Sequence, residues 1–279
     1  MPDVFRLAVL QMRVGEDKSA NLEKASKMIK EASSRGARAA VLPEIFNSPY
    51  QAKRFPDYAE PLGGPTTLLL SELAAQNGIM IVGGSIPERG EDGCIYNTSF
   101  VFGSHGELLG RHRKIHLFDI DIPGKMTFKE STSLSPGRNL SVFRYDDLCF
   151  SVLICYDVRF PELSRLAAMK GAQIIIIPAA FNRTTGPLHW ELLMRSRALD
   201  NQVFVAAASP SLNRESSYWS WGHSMIVDPW GKIVAAAGDQ EELIIADLEL
   251  SALGEVRTQI PVLQQRRDDL YKLSWVADD

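Results

Sequence analysis

Three residues of this chain could together hydrolyse an amide, and each stands at the end of an expected strand. Cys155 follows Ser151-Val152-Leu153-Ile154, Glu44 follows Val41-Leu42-Pro43, and Lys114 lies in Arg111-His112-Arg113-Lys114-Ile115-His116. A thiolate attacks carbon, but it needs a base for its proton and a positive group for the oxyanion that forms. Glu44 would take the thiol proton and pass it to the leaving nitrogen. Lys114 would hold the oxyanion beside the backbone N–H of Tyr156. Each residue alone has a plainer reading. A cysteine is most often a small buried hydrophobe, an acid after a strand a solvated loop residue, and a lysine among basic neighbours part of a solvated face. The chemistry needs all three.

The elements that must position them follow from the apolar pattern. Residues 149–154 are apolar and β-branched over too short a span for a helix, so they read as a buried strand. From Pro161 the pattern is helical, with proline and Glu162 in the first turn and a stop at Gly171. Cys155 therefore sits between strand and helix, ahead of free backbone N–H groups and a positive helix end that would favour the thiolate. Further strands are expected at 4–10, 38–42, 79–83, 173–177, 203–208, 224–227 and 243–247. A hairpin is expected from 96–102 and 107–111, turning at Ser104-His105-Gly106, and another turn at Trp230-Gly231-Lys232. Residues 21–33 place Leu22, Ala25, Met28, Ile29 and Ala32 on one helical face. A second helix, capped by Thr66 or Thr67, would run to Gln76, and a third spans 187–200. Residues 50–64 read as a loop, and the chain beyond 247 as a polar, arginine-bearing tail.

At 279 residues, with 45% hydrophobic and 23% charged residues, the chain can bury a full core. A net charge of −4 without a basic run argues against nucleic acid and anionic membranes as partners. No apolar stretch approaches the roughly 18 residues of a membrane span. The chain starts directly on a strand without a signal-peptide pattern, which makes the cytosol, or an organelle after cleavage, the default location. Cys94, Cys149 and Cys155 are too few for a disulfide framework. Asn97, Asn139 and Asn182 open glycosylation tripeptides that are chance matches without export. His112 and His116 could share a metal on a helix, but no third ligand accompanies them, and no metal or cofactor is expected. Ser99 to Gly106 and Ser224 to Gly231 echo each other in strand, turn and glycine offset, as two similar sheet-bearing halves would. No linker divides the chain, so residues 1–279 read as one domain.

Leu42-Pro43-Glu44, Arg113-Lys114-Ile115-His116-Leu117 and Cys155-Tyr156-Asp157-Val158-Arg159-Phe160-Pro161-Glu162-Leu163 resemble, in order and spacing, the three signature segments of the nitrilase superfamily. The likeness runs from about Phe5 to Tyr271. It implies an α/β fold, a four-layer αββα sandwich in a single domain. It also implies a homodimer in which the helices after the cysteine pack across a two-fold axis, with the tail of about 250–279 at that interface. Glu44, Lys114 and Cys155 become a triad, and Glu130, in Phe128-Lys129-Glu130-Ser131, a second glutamate that positions base and substrate.

Finer segments resemble the ω-amidase branch: Phe46-Asn47-Ser48-Pro49-Tyr50, the run Lys114 to Gly124, the run Ala180 to Trp190, and Asp200-Asn201-Gln202-Val203. That branch removes ammonia from the terminal amide of α-ketoglutaramate and α-ketosuccinamate. The amidase of deaminated glutathione shares the triad and Thr185-Gly186-Pro187 but lacks the Phe46 to Tyr50 segment. A non-catalytic dimeric scaffold is a third reading, and the intact triad argues against it. A dicarboxylate monoamide needs a cation for its distal carboxylate, and Arg159 is the candidate because arginine forks onto carboxylates. Its plainer role is a salt bridge with Glu162. Tyr50 and Thr185 would supply hydroxyls. Arg183 stands where such enzymes more often carry an apolar or small residue, and His189 and Trp190 belong either to the dimer or to the pocket wall.

Overall fold

In β1 (Val4–Gln11) every residue from Leu7 onward is buried. Successive side chains of a strand point to opposite faces, so Phe5, Leu7 and Val9 enter one core while Ala8 and Leu10 enter another. A strand apolar on both faces must be covered on both, and that requirement generates the layers.

The computed structural model describes residues 4–124 and 126–277. After β1 come α1 (Lys18–Ser34), β2 (Ala39–Val41), a short α2 (Phe55–Tyr58), α3 (Pro65–Asn77), β3 (Met80–Val82), β4 (Ile86–Arg89) and β5 (Ile95–Phe102). The chain continues through β6 (Leu108–Arg113), β7 (Asp119–Ile122), β8 (Met126–Lys129), β9 (Val142–Tyr145), β10 (Leu148–Val152), α4 (Pro161–Met169) and β11 (Ile174–Pro178). It closes with α5 (Gly186–Asn201), β12 (Phe204–Ala208), β13 (Met225–Val227), β14 (Ile233–Ala236), β15 (Glu242–Glu249) and α6 (Ser251–Gln259).

One sheet runs β15-β1-β2-β3-β5-β4 with β6 also on β5, and the other runs β14-β13-β12-β11-β10-β9. Their centres are parallel, β1–β2–β3 in one and β10–β11–β12 in the other. The inner faces share a core in which the rings of Phe5 and Phe150 meet at 5.6 Å. Outside, α1 and α3 cover the first sheet through Ala25, Met28, Ile29, Leu70 and Leu73. On the second sheet, α4 and α5 bury Leu163, Leu166, Trp190, Met194 and Ala198. Each fully enclosed Leu or Ile contributes about 1.5–3 kcal/mol. The result is the expected order of helix, sheet, sheet, helix. Among the described residues no helix is long and apolar enough to cross a membrane.

Several elements differ from the sequence reading for local reasons. Asp17 caps α1 by accepting from the N–H groups of Ser19 and Ala20, which starts the helix three residues early. Neither Thr66 nor Thr67 caps α3. Gly64 holds that position ahead of Pro65, and the Thr66 hydroxyl instead donates to Glu60 Oε1 at 2.7 Å. β4 carries Pro87 and was hidden by it; it lies at a sheet edge, where a proline costs no ladder bond. The tail begins with α6, whose Leu253 and Val256 are buried despite its polar composition. The last two residues of the expected tail lie outside the described residues. The two echoing segments fall on β5 and β13, in different sheets, each opening an antiparallel hairpin.

Candidate active site

Three strand ends deliver the three candidate reactive residues. β2 leads through Leu42-Pro43 to Glu44, β6 ends one residue before Lys114, and β10 ends shortly before Cys155. Glu130 opens the 3₁₀ turn Glu130–Thr132 directly after β8. All four are buried. The backbone is strained at two of these ends, with Ile45 at φ 51° and Cys155 at φ 47°. Non-glycine residues in the left-handed region cost energy and collect at functional sites. Gly84, at φ +51°, makes the first of these ends possible: a Cβ there would lie 2.0 Å from the Pro43 carbonyl oxygen.

Lys114 Nζ donates to Glu44 Oε1 at 2.8 Å and to Glu130 Oε1 at 2.9 Å. An ammonium has three donors, so one remains for an oxyanion. Glu44 Oε1 also accepts from Asn97 Nδ2 at 2.8 Å, while Glu44 Oε2 is buried with no hydrogen-bond partner among the described residues. The Cys155 thiol lies close enough to lower the Glu44 pKa. A buried carboxylate oxygen left without a donor is costly, and it leaves Glu44 with acceptor capacity for a proton. Glu130 is fixed by the Tyr50 hydroxyl, donating at 2.8 Å, and by the Phe118 N–H, donating to Oε2 at 2.7 Å.

The electrostatics follow from burial. Burial raises the Glu44 pKa against the pull of Lys114, and the charge of Glu130 adds to the rise. Burial would lower Lys114, but Glu130 and Glu44 outweigh it and hold the ammonium pKa well above its usual value. Burial also pushes the Cys155 thiol far up, with Glu44 adding to the effect and Lys114 opposing it. The proton therefore rests on sulfur. The expectation that a nearby helix end favours the thiolate is corrected: enclosure beside two carboxylates that share one ammonium outweighs a helix end.

Cys155 does not lead straight into α4. It opens a 3₁₀ turn, Cys155–Arg159, whose first internal bond runs from Asp157 N to Ile154 O at 3.0 Å. The Tyr156 N–H precedes that bond, as an orphan donor at a helix start does. Asp157 locks the turn. Its buried carboxylate accepts from Ile154 N at 3.1 Å, His116 N at 2.9 Å, His116 Nδ1 at 3.0 Å and His112 Nε2 at 3.0 Å. Burial would raise its pKa, but the His112 and His116 hydrogen bonds hold it far below the usual carboxylate range. The two histidines weighed as a metal pair on a helix thus lie on and just after β6, and both turn to this acid.

The remaining candidates divide. Tyr50 lines a cavity of ≈ 270 Å³ that opens beside Glu44, with Tyr218, Ser48 and Ser220 in its wall. Its hydroxyl donates to Glu130, and its oxygen keeps acceptor capacity toward the cavity. Thr185 holds the N-cap position of α5 without a side-chain capping bond, and its hydroxyl donates to Asn182 Oδ1 at 3.3 Å. Arg159 forms no ion pair with Glu162 among the described residues; its guanidinium lies 4.8 Å over the Phe181 ring and meets His189 at 3.2 Å. Trp190 is core, donating to His223 O at 2.6 Å. Arg183 is exposed and lies over the Trp221 ring. The sequence reading missed Asn97, noted only as a glycosylation tripeptide, and the clamp on Asp157. A polar residue inside the β5 run should have signalled a buried partner.

A family model described as carbon-nitrogen hydrolase matches residues 6–258. An omega-amidase of Xenopus tropicalis is 55% identical over 269 residues, which cover 96% of this chain and 97% of that protein. The crystal structure of a Saccharomyces cerevisiae member of branch 10 of the nitrilase superfamily superposes with a TM-score of 0.88 at 44% identity, covering 95% of this chain and 97% of the other. An amidase mutant from Nesterenkonia sp. AN1, in which acrylamide has added to the active-site cysteine, gives 0.75 at 26% identity, covering 95% and 98%.

Proposed function

The chain belongs to the carbon-nitrogen hydrolase family, with the nitrilase-type αββα sandwich, and from that premise we propose that it is an omega-amidase. It is a hydrolase of linear amides that releases ammonia from the terminal amide of short α-keto dicarboxylate monoamides, α-ketoglutaramate and α-ketosuccinamate. The observation that carries the mechanism is Lys114 bridging two buried carboxylates, of which Glu44 neighbours the Cys155 thiol and keeps one oxygen unpartnered among the described residues. The active-site cysteine of the Nesterenkonia amidase, which forms a covalent adduct, supports the same role for Cys155.

Glu44 Oε2 takes the thiol proton as sulfur attacks the amide carbon. The carbonyl electrons move onto oxygen, where the third Lys114 N–H and the Tyr156 N–H hold them. The oxyanion collapses, the C–N bond breaks, and Glu44 returns the proton to nitrogen, so ammonia leaves and a thioester remains. Water then gives a proton to Glu44 and its oxygen to the acyl carbon. Sulfur leaves and recovers the proton, freeing the keto acid. Glu130 holds Lys114 in place, and Arg159, a cation without a carboxylate partner among the described residues, receives the distal carboxylate.

Two copies associate through α5 in this reading. Leu188, Leu192 and Leu199, exposed beside Trp230, support it, and exposed Leu270, Tyr271 and Val276 favour a share for the tail. The deciding assay is ammonia release from α-ketoglutaramate and from deaminated glutathione side by side, with Cys155→Ala as blank. A preference for the keto-acid amide, abolished in Cys155→Ala, is expected. A preference for deaminated glutathione would overturn the substrate assignment, and activity retained by Cys155→Ala would overturn the mechanism.

A further inference from the structure

The neighbours of the Arg159 guanidinium are aromatic rings and an imidazole. Arg113 is paired with Glu88 at 2.7 and 2.8 Å, and Arg197 donates to the Val158 carbonyl at 2.8 Å with Asp200 at 3.8 Å. Arg159 has no acidic partner among the described residues. Aromatic faces hold it instead, Phe181 at 4.8 Å and Tyr156 at 5.7 Å, together with one nitrogen, His189 Nδ1, at 3.2 Å from Nη1. A guanidinium only donates, so that contact fixes the His189 tautomer: Nδ1 carries the lone pair and Nε2 the proton. Burial and then the facing guanidinium hold the His189 pKa below its ordinary value, which keeps the ring neutral.

We propose that His189 is a positioning residue for substrate recognition, aiming the Arg159 fork at the distal carboxylate without neutralising it. The inference rests on the reading of Arg159 given above and adds the reason for a histidine at this place. A cation must be oriented before it can clamp a carboxylate in two-point fashion, and loss of orientation costs affinity. An acid at position 189 would orient it too, but would occupy the fork and compete with the substrate. A neutral acceptor orients it and leaves its charge available. Arg159 lies four residues from the nucleophile on the same turn, and His189 lies in the first turn of α5, so the contact also ties that helix to the turn carrying Cys155.

The test compares His189→Ala, His189→Asn, His189→Glu and Arg159→Ala. KM and kcat are measured for α-ketoglutaramate, and the rate of Cys155 labelling by iodoacetamide, which carries no carboxylate, is measured alongside. His189→Ala should raise KM about tenfold, the worth of one charge-assisted hydrogen bond, with kcat and labelling changed far less. His189→Asn, which offers an oxygen near the Nδ1 position, should recover most of the loss. His189→Glu should raise KM beyond His189→Ala, because the new carboxylate fills the fork. An unchanged KM in His189→Ala alongside a raised KM in Arg159→Ala would overturn the role of His189 alone. An unchanged KM in Arg159→Ala would overturn the carboxylate site itself. Labelling and kcat that fall in step with KM would make His189 a structural support and overturn the proposal.

Discussion

The four buried groups at the centre form one electrostatic unit. Lys114 is the hub, with Glu44 and Glu130 on two of its donors. Burial raises both Glu44 and Cys155, so the resting proton stays on sulfur and a raised Glu44 is a stronger base for removing it during attack. Glu130 contributes geometry and charge alike. Glu130→Gln removes a negative charge that raises Glu44, so the acid limb of the pH–rate profile should move to lower pH. Turnover should fall about a hundredfold as the hold on Lys114 loosens, with KM little altered. A limb that moves upward, or a change in KM alone, would contradict this role.

At the scale of elements, the turn after β10 matters most. Cys155 sits at positive φ, and what holds it there is Asp157, which gathers one N–H from the turn itself and three donors from the end of β6. Asp157→Ala would leave those donors facing an apolar void, at a cost of about 3 kcal/mol, and turnover should fall with it. The folded pKa of Asp157 is depressed, so its contribution is fully present above the unfolded-chain value of about 3.9. It is lost as pH falls from there through the lower folded value. In urea melts, the gap between wild type and Asp157→Ala should hold from neutral pH to about 4 and narrow below. A gap that widens on acidification would show that another group sets it.

For the whole molecule, the question is what covers α5. Its inner face is buried by Trp190, Met194 and Ala198, while Leu188, Leu192 and Leu199 remain exposed on the outside. A row of this kind is unusual on a monomer. Leu192→Asp would place a charge in the interface of the proposed dimer and should weaken self-association at least about a hundredfold. Light scattering of wild type and variant at matched concentration checks this. A variant as dimeric as wild type would move the interface elsewhere.

The amino-acid pattern alone marked out three candidate reactive residues and roughly where the layers lie. Strand ends, apolar alternation and helix stops are local properties, written within a few residues, so Cys155, Glu44 and Lys114 could be picked out at their strand ends. Glu130 and the αββα order came through resemblance to a family. The sequence also suggested a thiolate at Cys155, which burial opposes, and it could not show that the hydroxyl protons of Tyr50 and Thr185 go to Glu130 and Asn182. Only the tertiary structure decided that Lys114 lies between two acids, one of them 70 residues away, and that Asn97 serves Glu44 from inside a strand. It also left Arg159 without a counter-ion among the described residues. The physical reason is that protonation and pairing depend on enclosure and on neighbours from distant segments. Those neighbours exist only once two sheets have closed over the same strand ends.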